Sequence, residues 1–258
     1  MKSPLMYWLG LSLALVSPMT FGADQAVASR QSSYALMTPE NKAMQDDPSL
    51  NPALFWVMDG RSLWQEKAGQ KQVACASCHG DSGEKMRGVA THFPKIIHGK
   101  LQTLEGQINQ CRVGQQQASP LAYESKELLA LTVFVASQSK GLPIAIKQTP
   151  QNKGDLQQGQ EFFNTKMGQL NLSCAQCHQE RAGLKLGGSF IPQGHPTAYP
   201  IYRIEWQNLG SLQRRLRNCM SGVRAQQFEY GSLEMAQLEL YLMWRARGMP
   251  LETPGVRP

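Results

Sequence analysis

Apolar residues recur every three or four positions in several short stretches of the chain, and this spacing predicts helices. The first predicted helix starts near residue 54, and its apolar face comprises Phe55, Met58, Leu63 and Trp64. Further helices are predicted over residues 101–112, 124–139, 211–220 and 233–247. Residues 24–44 lack such a pattern and predict an exposed extension. Residues 45–53 are rich in turn formers and predict an extended segment that wraps onto the first helical lobe.

Two motifs of the form C-x-x-C-H interrupt the helical pattern, one at Cys75 to His79 and one at Cys174 to His178. This spacing is typical of c-type haem attachment, in which two thiols bond to one porphyrin and the adjacent His ligates the iron. A redox or zinc C-x-x-C that happens to precede a His is the alternative, but two matched copies favour haem. The sequence therefore predicts two covalently bound haem c groups, attached through Cys75, Cys78, Cys174 and Cys177 and ligated by His79 and His178.

The helical plan around these motifs occurs twice. Gly60 and Gly159 each lie fifteen residues before the first Cys of a motif, and both halves end in a Gly-x-Pro stop. Such repetition predicts an internal duplication. The predicted fold is all-α, with two tandem cytochrome c-like haem domains. They follow an N-terminal extension (24–53) and comprise a first lobe (54–148) and a second lobe (149–258). A longer insert in the second lobe, 181–204, is expected to form an ordered loop over its haem.

The N-terminus has the pattern of a secretory signal peptide, with Lys2, an apolar run and a small-residue end that places cleavage near residue 23. An uncleaved anchor is the alternative. The mature chain, about 235 residues by subtraction of this signal from 258, is long enough for two small domains with separate cores. We expect a periplasmic protein with no membrane span after cleavage. The net charge of +7 suits a small anion or an acidic partner, and no nucleic-acid motif is present.

Two cysteines remain outside the haem motifs, and they lie at matching places in the two lobes. Cys111 and Cys219 each fall late on the helix that follows a haem loop. The usual second ligand of a c-type iron is Met, and a further His is the other candidate. None of these residues occurs at matching places in both lobes: Met86, Met167, Met220, His92, His98 and His195. We therefore hypothesise thiolate ligation by His79 and Cys111 on the first haem and by His178 and Cys219 on the second. A Cys111–Cys219 disulfide is the alternative.

Arginines crowd the second of these cysteines: Arg214, Arg215, Arg217 and Arg224. Positive charge favours the thiolate, and a guanidinium offers paired donors to an oxyanion. Arg215 precedes Cys219 by four residues and so shares its helix face. A solvated basic face would account for Arg214 and Arg217, whereas Arg215 is the candidate for substrate binding.

The run from Arg215 to Ala225 resembles the active-site helix of the SoxA family, the c-type cytochrome subunit of SoxAX in sulfur-oxidising bacteria. Residues 230–232, 238–248 and 45–64 are also similar to that family, so the resemblance covers nearly all of the mature chain. Because both haem motifs are present, the chain looks like the dihaem type.

The resemblance implies an L-cysteine S-thiosulfotransferase, which oxidatively couples thiosulfate to a cysteine of the carrier SoxYZ and releases two electrons. It also implies that Cys219 is a haem ligand carried as a persulfide and that Arg215 contacts the sulfur substrate. The implied partner is a SoxX-like monohaem cytochrome c, in a heterodimer, to which electrons pass. The first haem, through His79 and Cys111, is expected to be structural or a relay.

Other functions stay open at this level. A dihaem periplasmic electron-transfer cytochrome without sulfur chemistry would show His/Met ligation. A sensor would bind a small ligand at a haem-thiolate without turnover. A peroxidase-like dihaem enzyme would need one exchangeable iron position.

Overall fold

A computed structural model describes residues 30–258, and the predicted signal peptide at 1–23 lies outside the described residues. In this part of the chain the α-helices are α1 (Pro39–Asp46), α2 (Ala53–Gln65), α3 (Cys75–His79), α4 (Leu104–Cys111), α5 (Lys126–Ser137), α6 (Lys153–Asn164), α7 (Leu212–Gly222) and α8 (Leu233–Arg245). Short 3-10 turns occur at Ser33–Leu36, Glu84–Met86, Ala90–His92 and Ile204–Trp206. None of the helices described here is long and apolar enough to cross a membrane.

Three small sheets accompany the helices. β1 (Lys95–Ile97) pairs with β2 (Lys100–Gln102), and β3 (Lys185–Leu186) pairs with β4 (Ser189–Phe190), both antiparallel. β5 (Ile201–Arg203) lies between antiparallel β6 (Asn208–Gly210) and parallel β7 (Gly255–Arg257). Because β2 occupies 100–102, the helix predicted over 101–112 begins only at Leu104, where the Thr103 hydroxyl accepts a hydrogen bond from the Gly106 amide at 3.1 Å.

Each lobe is built on one close helix crossing with a glycine at its centre. A Cβ atom added to Gly60 on α2 would lie 2.0 Å from the carbonyl oxygen of Ala130 on α5. A Cβ atom on Gly159 of α6 would lie 2.1 Å from the carbonyl oxygen of Gln237 on α8. Only glycine lets the backbones approach this closely. The same packing in both lobes supports the duplication predicted from the sequence.

The turn that follows Cys111 on α4 also follows Cys219 on α7, but it lies one residue farther from the cysteine in the first lobe. Gln117 (φ 53°) and Arg224 (φ 56°) both adopt the left-handed conformation there. Gln117 is six residues after Cys111, whereas Arg224 is five residues after Cys219. A π-helical turn at Arg112–Gln116 accommodates the extra residue of the first lobe.

The two Gly-x-Pro segments pair with each other and join the lobes. The Gly141 amide donates to the Leu251 carbonyl, and the Gly248 amide donates to the Ile144 carbonyl, each at 2.8 Å. Residues 31–258 form one compact unit. Two separate cores were expected, but one apolar cluster runs through both lobes, and it includes Trp64, Phe134, Leu131, Phe163, Leu240 and Tyr241.

The segment before the first lobe differs from the expected exposed extension at 24–44 and from the expected extended segment at 45–53, which was to wrap onto the first lobe. It forms helix α1 and packs against β7, where the Gln45 side-chain oxygen accepts a hydrogen bond from the Val256 amide at 3.0 Å. The Asn51 side-chain amide donates to the Pro254 carbonyl at 3.1 Å. These contacts are made by buried polar side chains, which a pattern of apolar residues does not reveal.

The predicted apolar face of α2 was partly wrong. Phe55 is 71% exposed and Met58 is 64% exposed, while Ala53, Gly60 and Trp64 are buried. The buried face of helix α2 therefore combines the small residues Ala53 and Gly60, which allow the close crossing with α5, with Trp64, whose ring centroid lies 5.4 Å from that of Phe134.

Candidate functional site

The first site is a cavity of about 290 Å³ in the first lobe, into which four potential haem-binding residues converge. These are Cys75, Cys78, His79 and Cys111. Apolar side chains form most of the remaining wall, including Val89, Phe93, Ile97, Leu104, Ile108 and Val135. An apolar cavity with two thiols, an imidazole and a further sulfur fits a c-type haem.

Local structure presents the first motif to this cavity. Cys75, Cys78 and His79 share the single turn of helix α3. The Trp64 indole N–H donates to the Gly80 carbonyl at 2.8 Å, and its ring centroid lies 5.6 Å from that of His79. The motif is thus anchored to the buried end of α2.

The candidate second ligand of the first site is Cys111, the last residue of α4. The Gln107 side-chain amide donates to the Cys111 Sγ at 3.3 Å. Met86 also lines the cavity. It lies eleven residues after Cys75, and the residue at the same offset from Cys174 is Lys185, so Met86 has no counterpart in the second lobe. All six cysteines are free, including Cys111 and Cys219, so the structure does not contain the alternative disulfide.

The second site is formed around His178. Cys174 precedes a π-helical turn, Gln176–Glu180, that carries Cys177 and His178. The His178 Nδ1 donates to the Pro192 carbonyl at 2.7 Å. Metal-ligating histidines commonly donate their other ring N–H in this way, which leaves Nε2 directed to the metal. The Pro192 contact places the 181–204 insert against the haem motif.

The surroundings of His178 favour the protonation state that a metal ligand needs. Burial lowers the pKa of His178, and the nearby guanidinium groups of Arg215 and Arg245 lower it further, against the hydrogen bond to Pro192. The imidazole is therefore held in the neutral form that binds metal ions.

Cys219 lies in the same site. Burial raises the pKa of the Cys174 thiol to about 12, and the proximity of Cys219 adds to this shift. The structure thus brings the Cys174, His178 and Cys219 side chains together. With Cys177 of the same motif they make three thiols and an imidazole, which match the donor set of the first site and fit a second c-type haem.

Arg215 is the basic side chain of α7 that acts on Cys219. Burial alone would lower the pKa of its guanidinium, but Cys219, Tyr199 and Glu205 outweigh burial and raise the pKa. A half-buried cation beside a sulfur, four residues earlier on one helix, forms a place for a small anion.

Two of the other three arginines around Cys219 have structural contacts. The Arg214 guanidinium stacks 4.4 Å over the Trp206 ring and pairs with Glu124 at 3.9 Å. The Arg217 guanidinium lies 4.5 Å over the Tyr230 ring. The solvated basic face that the sequence suggested for Arg214 and Arg217 is thus replaced by packing against aromatic rings.

Sequence reasoning missed one basic residue of the second site. Arg245 on α8 lies near Cys174 and His178, and burial lowers the pKa of its guanidinium. It stacks 4.4 Å over the Phe163 ring and donates to the Gln193 carbonyl at 3.2 Å. The segment 238–248 was identified as similar to a known family, but nothing in its spacing relates Arg245 to a haem motif 67 residues earlier.

Comparisons with known proteins agree on one family. The model described as "SoxA/TsdA, cytochrome c domain" matches residues 59–144 and again 158–251, which confirms the predicted tandem arrangement of cytochrome c-like domains. The subunit SoxA of L-cysteine S-thiosulfotransferase from Rhodovulum sulfidophilum is 31% identical over 229 residues, covering 88% of this chain and 80% of that protein. Its counterpart from Pseudaminobacter salicylatoxidans is 32% identical over 232 residues, with the same coverage.

A solved structure shows the same fold. The crystal structure of SoxXA from P. pantotrophus contains a chain that superposes with a TM-score of 0.86 at 28% sequence identity. The match covers 89% of this chain and 87% of that chain.

Proposed function

The chain belongs to the SoxA family, and we propose that it is the cytochrome subunit of an L-cysteine S-thiosulfotransferase that joins thiosulfate to a cysteine of a carrier protein. The observation that carries this proposal is the placement of the half-buried Arg215 guanidinium beside Cys219, in the site that also holds His178. This arrangement offers a sulfur atom and a clamp for an oxyanion in one place.

We assign the haem-binding residues from the cysteines and the histidine that occupy equivalent positions in the two lobes. Cys75 and Cys78 attach the first haem and Cys174 and Cys177 attach the second. The iron ligands are His79 and Cys111 in the first site and His178 and Cys219 in the second. When bound, haem c accepts and passes on electrons one at a time.

Thiosulfate is a small dianion, and the second site is built to hold one. Arg215 presents paired N–H donors to the sulfonate oxygens, and Arg245, which lies near Cys174 and His178, adds positive charge to the site. Partial burial of both arginines strengthens their attraction for an anion relative to bulk water. The outer sulfur of thiosulfate is then directed to the Cys219 sulfur.

The sulfur chemistry balances with two electrons. The outer sulfur of thiosulfate forms an S–S bond to the Cys219 sulfur while two electrons leave. The thiolate of the carrier cysteine then attacks that outer sulfur, the bond to Cys219 breaks, and the carrier holds –S–S–SO₃⁻. Cys219 is regenerated as the sulfur nucleophile. We expect Cys219 to be carried as a persulfide, in which case its outer sulfur forms the S–S bond to thiosulfate and is returned as the persulfide when the carrier thiolate breaks that bond.

The partners follow from the same chemistry. The two electrons need an acceptor, and the similar chain in the SoxXA crystal structure supports a SoxX-like monohaem cytochrome c as that partner. The sulfur group needs a SoxYZ-like carrier with an accessible cysteine. The predicted covalent haem attachment and the predicted signal peptide both support a periplasmic location for the reaction.

Substitution of Arg215 tests the proposal. In the assembled complex, Arg215→Ala should lower the rate of thiosulfate coupling roughly hundredfold, because an oxyanion loses its aligned donors. Arg215→Lys keeps the charge but not the paired donors and should recover only part of the rate. The rate is measured by mass spectrometry of the carrier cysteine.

Arg247→Ala is the matched control. Arg247 is exposed, and its replacement removes the same unit of charge. Equal rates for Arg215→Ala and the native protein, with electron transfer intact, would contradict the proposal and favour a dihaem electron-transfer cytochrome.

A further inference from the structure

The two candidate ligand cysteines lie at equivalent places on equivalent helices. The Thr103 hydroxyl caps α4 by accepting from the Gly106 amide, and the Ser211 hydroxyl caps α7 by accepting from the Arg214 amide. Cys111 is the eighth residue after Thr103, as Cys219 is after Ser211. The residue four positions before each cysteine shares its helix face and differs between the lobes.

In the first lobe that residue is Gln107. Its side-chain amide donates to the Cys111 Sγ at 3.3 Å, and both side chains line the first cavity. The equivalent residue of the second lobe is Arg215, which acts on Cys219 through its charge. One lobe thus places a neutral donor against its sulfur, and the other places a cation.

A second amide supports this difference. The Gln116 side chain is buried, lines the same cavity and donates to the Val73 carbonyl at 2.9 Å. Its nitrogen also lies 4.0 Å from the Cys75 Sγ. By the contacts of the repeated turn, Gln116 corresponds to Val223 in the second lobe: each carbonyl oxygen lies 2.1 Å from the Cβ position of an equivalent glycine. Arg112 also lines this cavity and acts on the Cys75 thiol through its charge. The neutral contact that distinguishes the first site is therefore the one from Gln107 to the Cys111 sulfur.

A neutral amide and a guanidinium have different consequences for a sulfur ligand. A hydrogen bond donated to a metal-bound sulfur withdraws electron density from it and fixes its orientation. A neutral amide supplies that bond without attracting an anion. A guanidinium always carries charge and presents further donors to an oxyanion.

We propose that Gln107 is a positioning residue of the first site, where its amide holds the Cys111 sulfur toward the cavity and raises the reduction potential of the first haem. The inference rests on the proposed ligation of that haem by Cys111. It also accounts for two sites with the same donor set and different tasks: the first keeps its sulfur bonded to a neutral donor, and the second exposes its sulfur to an anion clamp.

The test uses the full haem-loaded chain in complex with its cytochrome partner. Gln107→Met keeps the length of the side chain and removes the donor. The equilibrium constant for reduction of the first haem should fall about tenfold, because a hydrogen bond to a charged group is lost. Gln107→Glu should lower the constant further, since a carboxylate beside the sulfur stabilises the oxidised iron. The second haem should keep its potential in both variants.

The controls separate positioning from stability. Gln65→Met removes an exposed amide at the end of α2, outside the residues that line the cavity, and should leave both potentials unchanged. The electron paramagnetic resonance spectrum of the first haem should change in Gln107→Met and stay native in Gln65→Met. Thermal melting of each variant identifies any loss of folding, which would alter both haem signals together.

Two outcomes would overturn the inference, and they are distinguishable. Unchanged potential and spectrum in both Gln107 variants, with a changed first-haem spectrum in Cys111→Ser, would reject the role of Gln107 and leave the ligation intact. An unchanged first-haem spectrum in Cys111→Ser would reject the ligation itself, and the inference with it.

Discussion

At the residue scale, the structure places two carboxyl groups together between the lobes. Glu105 on α4 is buried, and burial raises the pKa of its carboxyl. Burial also raises the pKa of Glu239 on α8 well above its ordinary value, and the nearby Glu105 adds to that shift. The Gln213 side-chain amide donates to the Glu239 carboxyl at 3.3 Å. Two carboxylates this close cannot both ionise without a cost in folding free energy.

This pair predicts a pH-dependent stability. Because the folded-state pKa of Glu239 lies above its ordinary value of 4.5, its proton stabilises the fold fully below that pH. The contribution is lost as pH rises through the folded-state pKa. Glu239→Gln has no proton to lose, so its melting temperature should exceed that of the native protein at pH 8, and the difference should shrink toward pH 5.

The matched control is Glu229→Gln, an exposed carboxyl just before α8. This variant should melt with the same pH dependence as the native protein. A Glu239→Gln variant with the native slope between pH 5 and 8 would show that the pair does not titrate in this range.

At the element scale, the helix crossings at Gly60 and Gly159 determine where the haem motifs lie. α6 contains a second glycine, Gly154, with open space around it. Gly159→Ala should therefore lower the free energy of unfolding by roughly 1–3 kcal/mol or more, since a methyl group would meet the Gln237 carbonyl. Gly154→Ala in the same helix should leave it unchanged or slightly higher.

Denaturant unfolding of the haem-loaded protein measures both changes. If the Gly159→Ala and Gly154→Ala variants unfold at the same denaturant concentration, the helices do not cross as closely as the structure shows.

Sequence reasoning succeeded for elements whose residues carry their own pattern. The helices of the two lobes have apolar spacing, and C-x-x-C-H has fixed chemistry. Strands β3 and β4 were missed because each is two residues long, too short for an alternating pattern. Helix α1 was missed because its buried contact is made by the polar Gln45.

The part of the candidate site that lies on a single helix could be predicted from the sequence. Arg215 and Cys219 share a face by spacing alone, and Cys111 follows by comparison of the lobes. Arg245 and Tyr199 come from distant segments that meet only in the folded chain, so no local spacing indicates them. Gln107 is one helical turn before Cys111, but its hydrogen bond becomes visible only when the side chains are placed.

At the scale of the whole molecule, the duplication has produced two related sites in one compact unit. Both bring together an imidazole and three sulfurs from the same positions of the repeat. They differ in the side chain next to the cysteine outside the haem motif. The Gln107 amide contacts Cys111 in the first lobe, and the Arg215 guanidinium lies beside Cys219 in the second. On the function proposed above, this difference would give sulfur transfer to the second lobe and an electron-transfer or structural task to the first.

The most direct test of this account is the mass of the Cys219 peptide from protein matured in a periplasm. The account predicts one extra sulfur atom on Cys219 and none on Cys111, and the extra sulfur should disappear on treatment with a reducing agent. Cys111 serves as the internal control, because it occupies the equivalent position without the arginine. An unmodified Cys219 after incubation with thiosulfate and an electron acceptor, or equal modification of Cys111, would contradict the assignment of the second lobe as the sulfur-transfer site.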